Sequence, residues 1–427
     1  MLARRRLLSY AQAMTAEAVP GNPHTALRRE RSALLAAGFT NGPAELVDFL
    51  IPLWAGIALG AQAWQVGLLI AAELLVSVVV RPMAGRLADS RERKSLAGIG
   101  AVIYGLSCCG YAVADSLPMA FAAAVLGGIG GALLWVCLRA IVSERLAVDS
   151  GVFARLMSVQ ETGSWVAFVA GLVLLSFTDL FAPVLAGCGA ACLVGAVVLL
   201  ASPSRPDTAP AAGGGSAALA PGAPDVSSRR IAARIRPMLI TSATTAVAEA
   251  AVSILLLLHL QRGFGLGVIE TAYVFLPGAI ALAVLPPVLH KAVRRIGRRR
   301  AMAAASVFSA VFAVSLAWAP NPWAISALWI LSGVAFAVLM PIEQSVIAEA
   351  EPTRVGAGMG IYTAVGLLSA AAGALAAGLL YEFSSWQAAC LISGVLILSG
   401  AVLGPWAIRK LGVADVPAEE SPVIPDR

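Results

Sequence analysis

The sequence predicts an all-α membrane protein with twelve transmembrane helices arranged as two pseudo-symmetric six-helix bundles. Three observations lead there. The first is composition: of 427 residues, 59% are hydrophobic and only 13% charged, with a mean hydropathy of +0.84. A chain this apolar needs lipid as its solvent. The second is spacing, because apolar stretches of ~20 residues, the length that crosses a bilayer, recur in pairs joined by short polar turns. The third is charge. With the N-terminus inside, 28 of the 30 Lys and Arg fall in cytoplasmic segments or at cytoplasmic helix ends, the exceptions being Arg139 and Arg262. An odd helix count could not give that distribution, so both termini are expected in the cytoplasm.

Taken in order, residues 1–31 carry Arg4, Arg5, Arg6, Arg28, Arg29 and Arg31 without the apolar core of a cleavable signal peptide, and read as a cytoplasmic tail. The first bundle, 32–201, holds helices expected at roughly 32–59, 65–87, 95–114, 118–145, 153–177 and 182–201. Pro43 and Pro52 in the first of these free backbone groups, as in broken helices that line a cavity. Segment 202–236, with its Pro-Ser-Arg-Pro, Gly-Gly-Gly-Ser and Pro-Gly-Ala-Pro runs, is a flexible cytoplasmic linker by composition. The second bundle, 237–409, holds helices expected at roughly 237–261, 267–289, 301–319, 322–349, 357–381 and 386–409, and 410–427 is a second cytoplasmic tail.

Several function classes fall away. A net charge of +6 could suggest nucleic acid, but the basic residues cluster at span ends, where the positive-inside rule places them. The six cysteines lie within apolar spans and read as small packing residues. His24, His259 and His290 sit at unrelated depths and make no metal cluster, and the sequence carries neither a phosphate-cradling loop nor a Gly-x-Ser-x-Gly elbow. No enzymatic activity, metal or cofactor is expected.

The loop Gly85-Arg86-Leu87-Ala88-Asp89-Ser90-Arg91-Glu92-Arg93-Lys94 stops one apolar span abruptly just before the next. Its glycine, aspartate four residues on and arginine four further resemble the signature between the second and third helices of the major facilitator superfamily. The resemblance implies a conformational latch. Gly85 would let two helix ends approach, and Asp89 would bond Arg93 or a neighbouring helix N-terminus. Glu144, ending the fourth helix at about the depth of that loop, is expected to join Asp89 and Arg93. Taken alone, the loop also reads as a basic stop-transfer segment that merely sets orientation.

The halves repeat as that family's halves do. A shift of 204 puts Glu45 on Glu249 and Arg139 on Glu343, and a shift of 205 puts Gly85 on His290 and Arg93 on Arg298. The sequence also departs from the family pattern. Arg294 stands where the second loop, Lys291 to Arg300, would carry its aspartate, so that loop is expected to anchor to anionic lipid. Ala124 replaces an arginine of many proton-coupled members, and Gly163 and Gly171 keep only part of an antiporter signature.

Ionisable groups inside spans are the sharper signal, because a charge at the bilayer centre costs ~2.5 to 3.5 kcal/mol. Glu45, Asp48, Glu73, Glu161, Glu249 and Glu343 stand against Arg139 and cannot all be paired as ions. Glu45 and Asp48 share a helical face with Asn41 a turn below, and together with Glu249 they are the expected site of substrate or proton coupling. The alternative is a structural network bonded to Ser, Thr or backbone. Arg139 and Glu343 are expected as a charge gate on the cytoplasmic side of the cavity, with Glu161 as the other possible partner of Arg139. The reading is a monomeric secondary transporter in a bacterial plasma membrane, with a small-molecule substrate, protons and lipid as partners. Export of a small cationic or amphipathic compound is its first form. Proton-coupled uptake, or a non-transporting sensor or scaffold on the same fold, stays open.

Overall fold

Lipid offers backbone groups no hydrogen-bond partner, so each apolar stretch must close its bonds internally. The computed structural model describes residues 23–178, 180–204 and 227–417. Among them run twelve long α-helices: α1 (Pro23–Ala58), α2 (Ala63–Ser90), α3 (Arg93–Val113), α4 (Leu117–Val142), α5 (Val152–Thr178), α6 (Phe181–Ala201), α7 (Ser228–Leu258), α8 (Val268–Ile296), α9 (Arg298–Ser315), α10 (Pro322–Ala350), α11 (Val355–Phe383) and α12 (Trp386–Leu411). Eleven have the length and apolar composition to cross a membrane. The remaining one is α1, whose apolar character is diluted by Asn41, Glu45 and Asp48. It runs unbroken through Pro43 and Pro52.

Successive helices alternate in direction, which brings residues 23 and 417 to one face of the molecule. The helix pairings repeat. In the first six, α1 packs on α5 and α6, α2 on α4, and α3 on α4 and α6. In the last six, α7 packs on α11 and α12, α8 on α10, and α9 on α10 and α12. Adding six to each label turns the first set into the second. The two sets meet mainly where α2 packs on α11 and α5 on α8, and the same rule exchanges these two contacts.

Helix ends differ from the expected boundaries for a physical reason. Residues 23–31, expected as tail, are helical because their charges find buried partners. Arg29, only 3% exposed, donates to Glu144 at 3.1 Å, to Glu92 at 2.9 Å and to the Pro203 carbonyl at 2.8 Å. Glu30, equally buried, accepts from Arg145 and Arg155. Helix α7 likewise starts at Ser228, inside the expected linker, and carries Pro237 within it. Residues 1–22, 205–226 and 418–427 of the expected tails and linker lie outside the described residues.

The second basic loop is bound to protein rather than left to lipid at its centre. Arg298, 2% exposed, grips Glu349 through both terminal nitrogens. Past α12 the chain folds back onto this turn: the Asp415 carbonyl accepts from the Arg298 amide at 2.7 Å and its carboxylate from the Arg299 amide at 2.8 Å. Lys291, Arg295 and Arg300 remain exposed. The shift of 205 that superposes Arg93 on Arg298 also superposes Glu144 on Glu349, and both pairs are closed, at 3.2 and 2.7 Å.

Between α4 and α5, Asp149 accepts from the Gly151 amide at 2.9 Å and from Arg155 at 2.6 Å. Burial would raise its carboxyl, but the Arg155 and Gly151 bonds outweigh it and hold the group below its ordinary value. A depressed carboxyl adds stability that is complete above the unfolded value and is lost as pH falls through the folded one. Asp149→Asn is therefore expected to lower the thermal midpoint of the purified protein at pH 7, by an amount worth about 1–3 kcal/mol. The gap to wild type should close only below about pH 4. A gap that is constant with pH would refute this.

Candidate functional site

The site is framed by a closed face and a charged cavity. Helices α2 and α11 cross with backbones in contact: a Cβ on Gly85 would stand 2.3 Å from the Gly356 carbonyl oxygen, and one on Gly356 2.5 Å from that of Gly85. Only glycine fits both positions. The crossing carries the Asp89 carboxylate to the N-terminus of α11, where it accepts from the Gly356 amide at 2.7 Å and the Ala357 amide at 2.8 Å. An anion there meets unpaired helix-end donors and the positive end of the helix dipole. Arg93 lies 3.6 Å from Asp89 and 3.2 Å from Glu144, so Gly85, Asp89, Arg93 and Glu144 do converge, with Arg29 and Glu92 added from outside the expected set. At the second crossing the Ser158 hydroxyl donates to the Ala283 carbonyl, and the Ser150 hydroxyl stands 3.0 Å from His290. These bonds lie towards the face that carries residues 23 and 417, which is the closed one.

Beyond this seal lies a cavity of about 290 Å³ among α1 to α4, with Leu367 of α11 on its rim. Asp48, Glu73 and Arg81 are its charged lining, with Ser77, Tyr104 and Tyr111 beside them. Glu73, Ser77 and Arg81 recur every four residues, which stacks them on one face of α2. Tyr111 donates to Glu73 at 3.3 Å, and Arg81 donates to Ser77 at 3.1 Å while leaning towards the Thr363 carbonyl of α11 at 3.5 Å. Helix α4 makes room with glycine, since a Cβ on Gly127 would come within 2.6 Å of a Glu73 carboxylate oxygen.

The other expected residues fall into separate polar clusters. Glu45 accepts from Asn41 at 2.8 Å; Asn41 also bonds Ser164 at 3.0 Å and accepts from Gln160 at 3.1 Å, tying α1 to α5. Glu161 is within electrostatic reach of Glu45, as Glu45 is of Asp48, yet of these three only Asp48 lines the cavity. Glu249 receives a long 3.4 Å bond from Ser309. Glu343, 7% exposed, accepts from Ser242 and, at 2.8 Å, from Tyr362.

The expected gate is not formed. Arg139 pairs with neither Glu343 nor Glu161 among the described residues: it donates to the Trp135 carbonyl at 3.3 Å, and its buried Nε has no partner. Glu343 is already satisfied inside its own half, and Tyr362, which donates to it, lies within electrostatic reach of Arg139. Among the described residues, Arg81 also reaches across the halves towards Thr363, and Asp89 bonds the N-terminus of α11.

Sequence reasoning missed Arg81, Ser77, Tyr104 and Tyr111, and left Glu73 outside the coupling set. The four-residue stripe on α2 was the available signal. Arg81 lies about one turn before the basic loop and was counted with it.

A helical bundle sealed at one face, with acids and a base lining a cavity inside it, defines an integral multi-pass membrane protein of transporter type. The chain belongs to the Major Facilitator Superfamily, whose model matches residues 33–322 and 279–425; its members are transporters, not enzymes. Among solved structures it is similar to the human organic anion transporter MFSD10 (TETRAN), at 18% identity and a TM-score of 0.71, covering 90% of this chain and 100% of that one. It is also similar to the proton:xylose symporter XylE bound to 6-bromo-6-deoxy-D-glucose, at 14% identity, TM-score 0.69 and coverage of 90% and 95%. A bacterial homologue of the iron transporter ferroportin in an outward-facing state matches at 14% identity, TM-score 0.66 and coverage of 90% and 99%. At these identities the likeness is one of fold. A search of curated proteins finds no significant sequence match.

Gly356→Leu would drive a side chain into the Gly85 carbonyl and the Asp89 carboxylate. It is expected to open the closed face. A cysteine placed at the buried Ser150 should then react with maleimide at least about tenfold faster, equivalent to ~1.4 kcal/mol of lost closure. An unchanged rate would show that the crossing does not hold the seal.

Proposed function

We propose that this protein is a secondary active transporter that works by alternating access. On this reading all twelve helices span a bacterial plasma membrane as two six-helix bundles, 32–201 and 237–409, joined by the linker 202–236. Both termini are cytoplasmic, so the sealed face is the inner one and the cavity is served from outside. The repeated helix pairings and the exchange of the α2–α11 and α5–α8 contacts support a parallel repeat that rocks about its centre.

The function that the cavity supports best is proton-coupled export of a small cationic or amphipathic compound. The observation carrying this reading is that Asp48 of α1 and Glu73 of α2 line one cavity, within electrostatic reach of each other. Two carboxyls in a poorly solvated site exchange protons for any cation that approaches, because each charge left unpaired is costly there. Competition between substrate and proton for the same pair is the physical basis of antiport. Asn41 positions Glu45 behind Asp48, and Glu249 with Glu343 is the matching acidic pair of the second half. Asp89, Arg93 and Glu144 latch the inner face.

Arg81 favours a second reading. An arginine in the same cavity as two acids suits a zwitterionic or anionic solute taken up with protons. The direction of flux separates the two, and no flux in either direction would leave a sensor or scaffold.

Proteoliposomes under an imposed pH gradient provide the test. Asp48→Asn and Glu73→Gln are each expected to cut gradient-driven flux at least about tenfold, equivalent to ~1.4 kcal/mol in the rate-limiting barrier, with folding retained. Glu45→Gln and Glu249→Gln should uncouple flux from the gradient. Undiminished active transport in the Asp48 and Glu73 variants would sink the proposal.

A further inference from the structure

A second, larger cavity opens on the side of the molecule away from the charged one. It is a groove of about 560 Å³ between α1, α5 and α6, lined by Leu35, Phe39, Val166, Leu174, Gly187 and their neighbours, with almost no polar surface. Leu35, Phe39, Val166 and Leu174 are exposed along it. The Asn41–Glu45–Ser164 cluster lies on the other side of the same helix pair, for α1 and α5 cross so closely that a Cβ on Gly42 would stand 2.2 Å from the Gly163 carbonyl. Whatever fills the groove therefore braces the crossing that carries the cluster.

At hydrocarbon depth only acyl chains are abundant enough to fill such a furrow. Along α5 the lining runs from Val159 to Leu174, a rise of about 22 Å, and along α1 from Leu35 to Leu46, about 16 Å, which is roughly the hydrocarbon depth of one leaflet. The α1 face that lines the groove does not stop there. At 100° per residue, Arg28, Arg31, Leu35, Phe39 and Leu46 lie within a sector of about 80°. Arg31 and Arg28 stand about 6 and 10 Å beyond Leu35 towards the terminus-bearing face, where headgroups begin. Both are exposed, and no carboxylate among the described residues pairs with either, whereas the adjacent Arg29 is buried in a three-way cluster. An apolar slot of leaflet depth topped by two unneutralised guanidiniums is complementary to one molecule: a lipid with an anionic head.

We infer that the α1–α5–α6 groove is a binding site for an anionic phospholipid of the leaflet at the terminus-bearing face, its acyl chain in the groove and its phosphate on Arg28 and Arg31. Arginine suits this role because its planar fork binds phosphate oxygens in pairs. The inference concerns the outer surface of the bundle and is independent of what the charged cavity transports.

Native mass spectrometry of the full chain, released from micelles doped with equal amounts of phosphatidylglycerol and phosphatidylcholine, tests it. The wild type is expected to retain phosphatidylglycerol at least about threefold over phosphatidylcholine, a preference worth roughly 0.65 kcal/mol. Arg28→Gln with Arg31→Gln should bring that ratio to about one. Gly187→Phe should remove most of the retained lipid of both kinds, and it is a fair probe because a Cβ there meets nothing within 4 Å. Ala191→Leu offers a milder filling of the same groove. Equal retention of the two lipids by the wild type, a headgroup preference surviving the double arginine change, or full retention in both filled variants would each overturn the site. So would a dimer mass that the groove-filling variants abolish, since the face would then bind a second copy of this chain.

Discussion

The structure depends on one carboxylate reaching across a gap that only glycine leaves open. Asp89 accepts two backbone amides of α11, and can do so because Gly85 and Gly356 let α2 and α11 touch backbone to backbone. Hydrogen bonds to a charged group are worth about 1.5–3 kcal/mol each, and their removal would leave two helix-end donors unpaired and the buried carboxylate with Arg93, 3.6 Å away, as its ion-pair partner. That contact closes one face. With it closed, Arg81 comes under Thr363, Arg139 lies within electrostatic reach of Tyr362, and the acidic cavity is left on the far side of the seal. A substitution at either glycine is thus felt at residues that it does not touch.

The two halves follow one plan of helix pairing but meet through different chemistry. Arg93 with Glu144 and Arg298 with Glu349 occupy equivalent places, each a buried arginine tying the start of one helix to the end of the next. Where the first half offers Asp89 to the partner helix, the second has Arg294, and its crossing is held by Ser150 with His290 and by Ser158 with a backbone carbonyl. One crossing rests on a charge at a helix terminus, the other on a hydroxyl–imidazole contact and a hydroxyl–carbonyl bond. Breaking a charged contact without replacing it costs more than breaking a neutral one. Parting the α2–α11 crossing would therefore strip the Asp89 carboxylate of both helix-end amides.

Much of this was legible before any coordinates. The helices could be counted because a bilayer requires long apolar runs, and positive charge at alternate ends carried the expectation for their sense. The convergence of Gly85, Asp89, Arg93 and Glu144 was what the resemblance of that loop to the family's signature implied. What could not be read was which side chain turns towards which space. Glu45 and Asp48 are three residues apart on one helix, yet one is held in an α1–α5 network and the other opens on the cavity; that choice depends on Ser164 and Gln160, more than a hundred residues away. The expected Arg139–Glu343 gate failed for the same reason. Equal depth follows from a repeat, but whether two charges meet depends on whether each already has a nearer partner, and Glu343 has Ser242 and Tyr362. Helix ends were misjudged where polar residues such as Arg29 and Glu30 are buried by contacts from distant segments.

The fold-back after α12 bears on how this protein can be handled. Asp415 supplies an acid to the second basic loop, and Pro417, with Ser150 and His290, lines a small crevice at the α5–α8 crossing. Shortening the chain to the end of its last helix at Leu411 would remove no apolar segment and would look harmless on a hydropathy plot. It would also strip the turn before α9 of its carboxylate and vacate one wall of that crevice. An affinity handle or fluorescent reporter should accordingly be joined after Pro417, for one grafted at Leu411 reports on a molecule with a differently built hinge.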